Sequence, residues 1–119
     1  MRGWDRLLLR GLRPHLPKDA RILALERGRT DALGEMRKTT AVLTDDSLLL
    51  ATAARARTIL TVVPRPDIRS IEVLEEHVVA IRFDDYARAR PRVVRLSLQK
   101  YGDRDGIIAK LQPETGLSR

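Results

Sequence analysis

The chain has 119 residues, with Lys+Arg 23 against Asp+Glu 16, a formal net charge of +7 and no Cys. That length suits one domain with one core. The lack of Cys excludes disulfides, thiolate metal sites and Cys nucleophiles, and two histidines, His15 and His77, are too few for a His-rich metal site. The charge is uneven. Residues 1–30 hold eight basic and three acidic side chains, and residues 87–101 hold Arg88, Arg90, Arg92, Arg95 and Lys100 with no acid. Residues 71–86 hold Glu72, Glu75, Glu76, Asp84 and Asp85 against Arg82 alone. Such basic blocks either attract anionic partners or reflect an Arg-rich, Lys-poor composition.

At the N-terminus, residues 4–13 (WDRLLLRGLR) predict a short helix. Trp4, Leu8 and Leu12 recur at helical spacing on one side, and Arg2, Arg6, Arg10 and Arg13 fall in a stripe opposite. Pro14 and Pro17 end it, giving an amphipathic element over residues 1–15. Leu7-Leu8-Leu9 between Arg6 and Arg10 is too short for a signal sequence, and no apolar run approaches a membrane span. The expectation is a cytoplasmic chain, peripheral to a membrane if its basic groups are used for lipid.

From Arg21 the period becomes that of strands. The expected strands are 21–27, 37–44, 47–53, 58–63, 67–74, 77–83 and 92–99, with a polar loop at 28–35 and a basic turn at 55–57. Asp45-Asp46 is a tight turn, because short acidic side chains bond their own backbone. Pro64 and Pro66 stop the fourth strand, and 84–91 is a loop. Residues 105–112 place Ile107, Ile108 and Leu111 on one helical face, with a stop at Pro113 and a polar tail over 114–119. Seven strands at spacings of roughly 8–12 residues predict an antiparallel barrel or sandwich. The expected core is Ile22, Leu25, Val42, Leu48, Leu50, Ile59, Val63, Ile71, Val73, Val79, Ile81, Phe83, Val94, Leu96, Leu98, Ile107, Ile108 and Leu111.

Leu43, Thr44, Asp45 and Leu48, followed by Pro64 and then Asp67, Ile68 and Ile71, resemble the signature of bacterial pleckstrin-homology-like (PH-like) and GRAM-like domains. Residues 16–25 (LPKDARILAL) are similar to the entry of those families, and 106–111 (GIIAKL) to their C-terminal helix. The resemblance spans about residues 16–112. It implies a mainly β fold: a PH-like seven-stranded antiparallel barrel of two sheets, a C-terminal capping helix, and here a short N-terminal helix. The implied organisation is a helix at 1–15, a PH-like domain at 16–113 and a tail at 114–119. The superfold serves lipid, peptide, protein and oligomerisation roles, so it implies binding rather than one ligand.

Three clusters carry the functional expectations. Arg27, Arg29, Arg37 and Lys38 stand where phosphoinositide-binding members keep a basic motif. The spacing is partial and Asp31 and Glu35 share the loop, so specific inositide binding is not expected; the plainer reading is a solvated loop. Arg55, Arg57, Arg88, Arg90 and Arg92 lie in inter-strand turns and form either an anion- or lipid-binding rim or a soluble one. Trp4, Leu8 and Leu12 form an interaction helix, against the barrel, a second copy or a membrane surface. His77 beside Glu75 invites acid–base chemistry, but no nucleophile elbow or phosphate loop accompanies it. The Asp doublets are turn chemistry, with no metal and no cofactor expected. The sequence thus points to a non-enzymatic module for protein–protein interaction or self-association. Anionic membrane lipid is the alternative, nucleic acid ranks below both, and enzyme last.

Overall fold

The computed structural model describes residues 21–75, 77–86, 88–99 and 106–115. The expected N-terminal helix, with Trp4, Leu8 and Leu12, lies outside the described residues, as does the tail from residue 116. The elements are β1 Ile22–Thr30, β2 Arg37–Thr44, β3 Ser47–Ala54, β4 Arg57–Pro64, a 3-10 turn Arg65–Asp67, β5 Ile68–Glu75, β6 Val78–Asp85, β7 Arg90–Leu98 and α1 Ile107–Thr115. All pairings are antiparallel, in the order β4-β3-β2-β1-β7-β6-β5.

β4 and β5 are the two edges of this order, yet only the three-residue turn Arg65–Asp67 separates them. Four residue steps span at most about 14 Å, so the sheet must roll until its edges approach. The hinge of the roll is the β1–β7 seam, which pairs only Gly28↔Leu98, Arg29↔Ser97 and Thr30↔Leu96. A Cβ on Gly28 would sit 2.0 Å from the Ser97 carbonyl oxygen and 2.9 Å from Leu98 Cδ2. The sequence reads Gly28 as the start of a loop. Instead β1 runs through it to Thr30, and the missing side chain serves a close strand crossing.

Other boundaries differ from expectation as well. β6 continues through Asp84 and Asp85, and β7 begins at Arg90, because Asp85↔Arg90 and Asp84↔Pro91 extend the hairpin. His77 lies in the β5–β6 turn at φ +70°, not in a strand. α1 runs past Pro113 to Thr115 without the i→i−4 hydrogen bond that the missing N–H of Pro113 would make to the carbonyl of residue 109.

The main core gathers Ala41, Leu43, Leu48, Leu50 and Val63 from one lobe and Val79, Ile81, Phe83, Val94, Leu96 and Leu98 from the other, closed by Ile107, Ile108 and Leu111 of α1. Each Val, Leu, Ile or Phe side chain among them contributes about 1.5–3 kcal/mol on burial. A carboxylate from the same inner face fixes the start of α1: the Ile107 N–H donates to Glu26 Oε1 at 2.6 Å. β2 and β3 are buried on both faces. Val42 and Leu49 form a second cluster on the outer face, with Ile22, Leu25, Ala51 and Leu60 half-buried around them. Ile22, Leu25 and Val42 therefore leave the single core the sequence predicts. Val73 is 51% exposed, because β5 is an edge strand and a bulge follows at Val73/Glu75.

Candidate functional site

One end of the rolled sheet is closed. There Asp45 and Asp46 form a two-residue turn organised by Thr44 Oγ1, which accepts the Ser47 N–H at 3.0 Å. The buried Arg65 donates to the Thr44 carbonyl at 3.0 Å and to the Lys110 carbonyl of α1 at 3.4 Å, while its own N–H donates to the Asp46 carbonyl at 2.9 Å. This guanidinium ties the hairpin turn, the β4–β5 connection and α1 together. Neither Glu26 nor Arg65 stands out in the sequence. Glu26 reads as strand polarity, and Arg65, between two prolines, reads as a loop.

The opposite end, at the other terminus of β2, is bounded by the β1–β2 loop, the β3–β4 turn and the β6–β7 loop. The β1–β2 loop is anchored to β7 by Asp31. Its Oδ1 accepts the Arg95 N–H at 2.7 Å, and its Oδ2 lies 3.2 Å from Arg95 Nε. Arg92 donates to the Ala32 carbonyl on the same loop. Gly34 at φ +105° lets the loop turn back, its N–H donating to the Asp31 carbonyl at 2.8 Å. Between this loop, β4 and the β6–β7 hairpin runs an open groove of about 810 Å³. Ile59, Leu60, Thr61 and Val62 line one wall, Leu33 and Gly34 another, and Phe83, Asp85, Arg88, Arg90 and Arg92 the third.

The predicted basic residues divide between two faces, because alternate strand residues point opposite ways. Arg29 pairs with Lys38 across β1 and β2, so these two and Arg27 lie on the outer face, all exposed. Arg37 aligns with the buried Thr30 and faces the other way, where it meets Glu35 at 2.5 Å. Arg55 and Arg57 are exposed at the β3–β4 turn, Arg55 at φ +44°. Arg88 and Arg92 converge on Asp85, at 3.6 and 3.8 Å. Arg90 is exposed on the groove wall, and Tyr86 at the tip of the same hairpin is 71% exposed. Among the described residues, Arg55, Arg57 and Arg90 make no ion pair, so they are the rim cations with nothing to release before meeting a ligand. Exposed pairs such as Arg37–Glu35 hold each other by about 0–1 kcal/mol.

The Asp doublets are used locally. Asp45-Asp46 makes the hairpin turn, and Asp84 and Asp85 pair with arginines. Arg69 chelates Asp84 from β5, Nε at 2.6 Å and a terminal nitrogen at 2.5 Å, and this hydrogen bond, then the charge of Asp84, raises the Arg69 pKa above its ordinary value. Among the described residues no three acidic or histidine side chains gather where a metal ion would sit. Among the same residues no helix is long and apolar enough to cross a membrane.

The groove's most distinctive wall is a sheet edge. β4 pairs only with β3, in unbroken register from Ser47↔Pro64 to Ala54↔Arg57, and ends the strand order. Its far side carries backbone donors and acceptors with no strand beyond them among the described residues. A second chain in extended form can pair there.

Comparison with known proteins agrees with this architecture. No family model and no curated protein matches the chain. Among solved structures, the chain is similar to a crystal structure of the DH/PH domains of p115-RhoGEF, in a point-mutant form, with a TM-score of 0.64 at 15% identity over 94% of this chain. A structure of the N-terminally truncated linker-DH/PH domains of p115-RhoGEF matches with a TM-score of 0.62 at 17% identity, again over 94% of this chain. The chain spans 35% and 34% of those two chains. At such identity the likeness shows the fold alone. The protein has a PH-like fold: seven antiparallel strands and a short C-terminal helix.

Proposed function

We propose that this chain is a non-enzymatic protein-interaction module of the bacterial PH-like kind, which takes an extended segment of a protein partner, or of a second copy, along the β4 edge. The observation that supports this reading is the β4 edge, with no strand beyond it among the described residues, whose residues Ile59–Val62 line an open groove. Strand addition draws affinity from main-chain hydrogen bonds and specificity from pockets for alternate side chains. Ile59 and Phe83 supply the apolar pocket here, and Arg90 favours an acidic side chain on the guest. No cofactor is required. The hairpin chemistry at Thr44–Ser47 and the Pro64 to Ile68 turn support the bacterial PH-like assignment, since both stand in the positions the resemblance implies.

Anionic membrane lipid is the second reading, favoured by Arg55, Arg57 and Arg90 at one end without ion pairs. Against it, Asp85 and Asp31 sit among the groove's cations and reduce its field. The two readings separate by experiment on the full chain. Sedimentation with phosphatidylserine vesicles at low and high salt measures the lipid reading, which requires binding that falls as salt rises. The edge reading expects little sedimentation. It also expects a protein ligand, found in pull-downs with the wild-type chain, to be lost with Ile59→Lys and retained with Arg55→Ala. Salt-sensitive vesicle binding, with no effect of Ile59→Lys on any protein ligand, would overturn it.

A further inference from the structure

The backbone of β4 sets how a guest strand can be read along it. The Arg65 N–H donates to the Asp46 carbonyl at 2.9 Å, one step beyond the pair Ser47↔Pro64. Residues along an antiparallel ladder alternate between those that exchange both backbone bonds with the partner strand and those that exchange neither. Counting back from Arg65, the residues bonded to β3 are Val63, Thr61, Ile59 and Arg57. Thr58, Leu60 and Val62 turn their N–H and carbonyl groups to the other side, where no strand lies among the described residues. Pro64 turns outward in the same series but has no N–H to give. The edge is therefore a short window of donor–acceptor pairs at Thr58, Leu60 and Val62, bounded by Pro64 at one end and by the β3–β4 turn at the other.

The two ends of this window differ in charge. Arg55 and Arg57 are exposed at the Thr58 end, and Arg90 is exposed on the groove wall that faces it. Asp85 in the same groove is engaged with Arg88 and Arg92. At the Pro64 end stand Asp45 and Asp46, both exposed on the hairpin turn, and Asp67 of the 3-10 turn. Between the ends the strand is apolar on both sides: Ile59 faces the groove with Thr61, and Leu60 and Val62 face the opposite way. Resting on the edge reading above, we infer that the guest is an apolar extended segment of a protein partner with Asp or Glu at its C-terminal end. Pairing at alternate residues makes the paired stretch about five residues long. It runs antiparallel to β4, the more stable direction per residue and the one used by every pairing in this sheet. Its acidic end then meets Arg55, Arg57 and Arg90, and its uncharged end lies beside the carboxylates near Pro64. A second copy of β4 does not fit this window, because RTILTVVP brings an arginine and no acid.

A displayed library of random heptapeptides, selected on the full chain, tests this, with the selected peptides remade and titrated by fluorescence anisotropy. The expected peptides are apolar over their first five positions and carry Asp or Glu in the last two. Val62→Pro removes one outward N–H and leaves the β3 ladder whole, at an edge position that admits proline. It is expected to weaken binding about tenfold, with far-UV circular dichroism as the folding control, and Val62→Thr is expected to bind as the wild type. N-methylation of the peptide at alternate residues is expected to abolish binding and at the intervening residues to leave it, a readout that needs no host variant to fold. Arg90→Glu is expected to weaken the acidic peptides several-fold at low salt and to leave their amide counterparts unchanged. Peptides indifferent to both Val62→Pro and N-methylation, or a library that yields none, overturn the edge reading and this inference with it. Peptides sensitive to both, but with no acids or with acids at the N-terminal end, overturn this inference alone.

Discussion

The two edges of the sheet are treated in opposite ways. β5 is interrupted by bulges at Ile68/Ser70 and Val73/Glu75, carries exposed Glu72 and Glu75, and is pinned through Arg69 to Asp84. These are standard means of blunting an edge against unwanted pairing. β4 is eight residues long, keeps an unbroken register and has no acidic residue in RTILTVVP. Exposed straight edges are hazards unless something occupies them. This contrast, between a defended edge and one with no strand beyond it among the described residues, supports the interaction reading.

The largest expected effect comes at the seam that brings both edges into position. Gly28→Ala forces a Cβ into the Ser97 carbonyl and is expected to lower unfolding free energy by about 3 kcal/mol, read by urea denaturation. If stability changes by under about 0.5 kcal/mol, the seam does not hold the roll. Arg65→Met acts only at the closed end, where it removes hydrogen bonds to the Thr44 and Lys110 carbonyls. It is expected to lose about 2 kcal/mol, and Arg65→Lys to lose nearly as much, because an ammonium does not replace a planar fork. Glu26→Ala unlatches α1 and is expected to lose about 1–2 kcal/mol, with protection from amide exchange falling first in α1. An unchanged α1 would show that apolar packing alone seats the helix. The smallest effect sits in the β6–β7 loop. Ala89 is held at φ +53°, so Ala89→Gly is expected to raise the melting temperature, by about 0.5–1 kcal/mol of stability.

Much of the fold was legible in the residues. The seven strands, the Asp45-Asp46 turn and the α1 face Ile107, Ile108 and Leu111 follow from alternation, turn chemistry and helical spacing. What was not legible depends on contacts distant in sequence. Gly28 looks like a loop glycine until Ser97 arrives beside it. Glu26 needs the N-terminus of a helix eighty-one residues away to explain its burial. Leu48-Leu49-Leu50 shows that β3 is apolar on both faces, but not that Leu49 is buried beside Val42 in a cluster of its own. The site was harder still. Arginine spacing in the sequence groups Arg37 with Arg27, Arg29 and Lys38, whereas strand parity puts Arg37 on the other side of the sheet. The edge position of β4 belongs to topology, and no residue in β4 announces it.

The most direct test places a photocrosslinking amino acid at Ile59, in the β4 groove, or at Glu72, on β5, in the full chain within cells. The account predicts covalent adducts to protein from position 59, either a partner or a second copy, and none above background from position 72. Equal yields from the two edges, or adducts from position 72 alone, would contradict it.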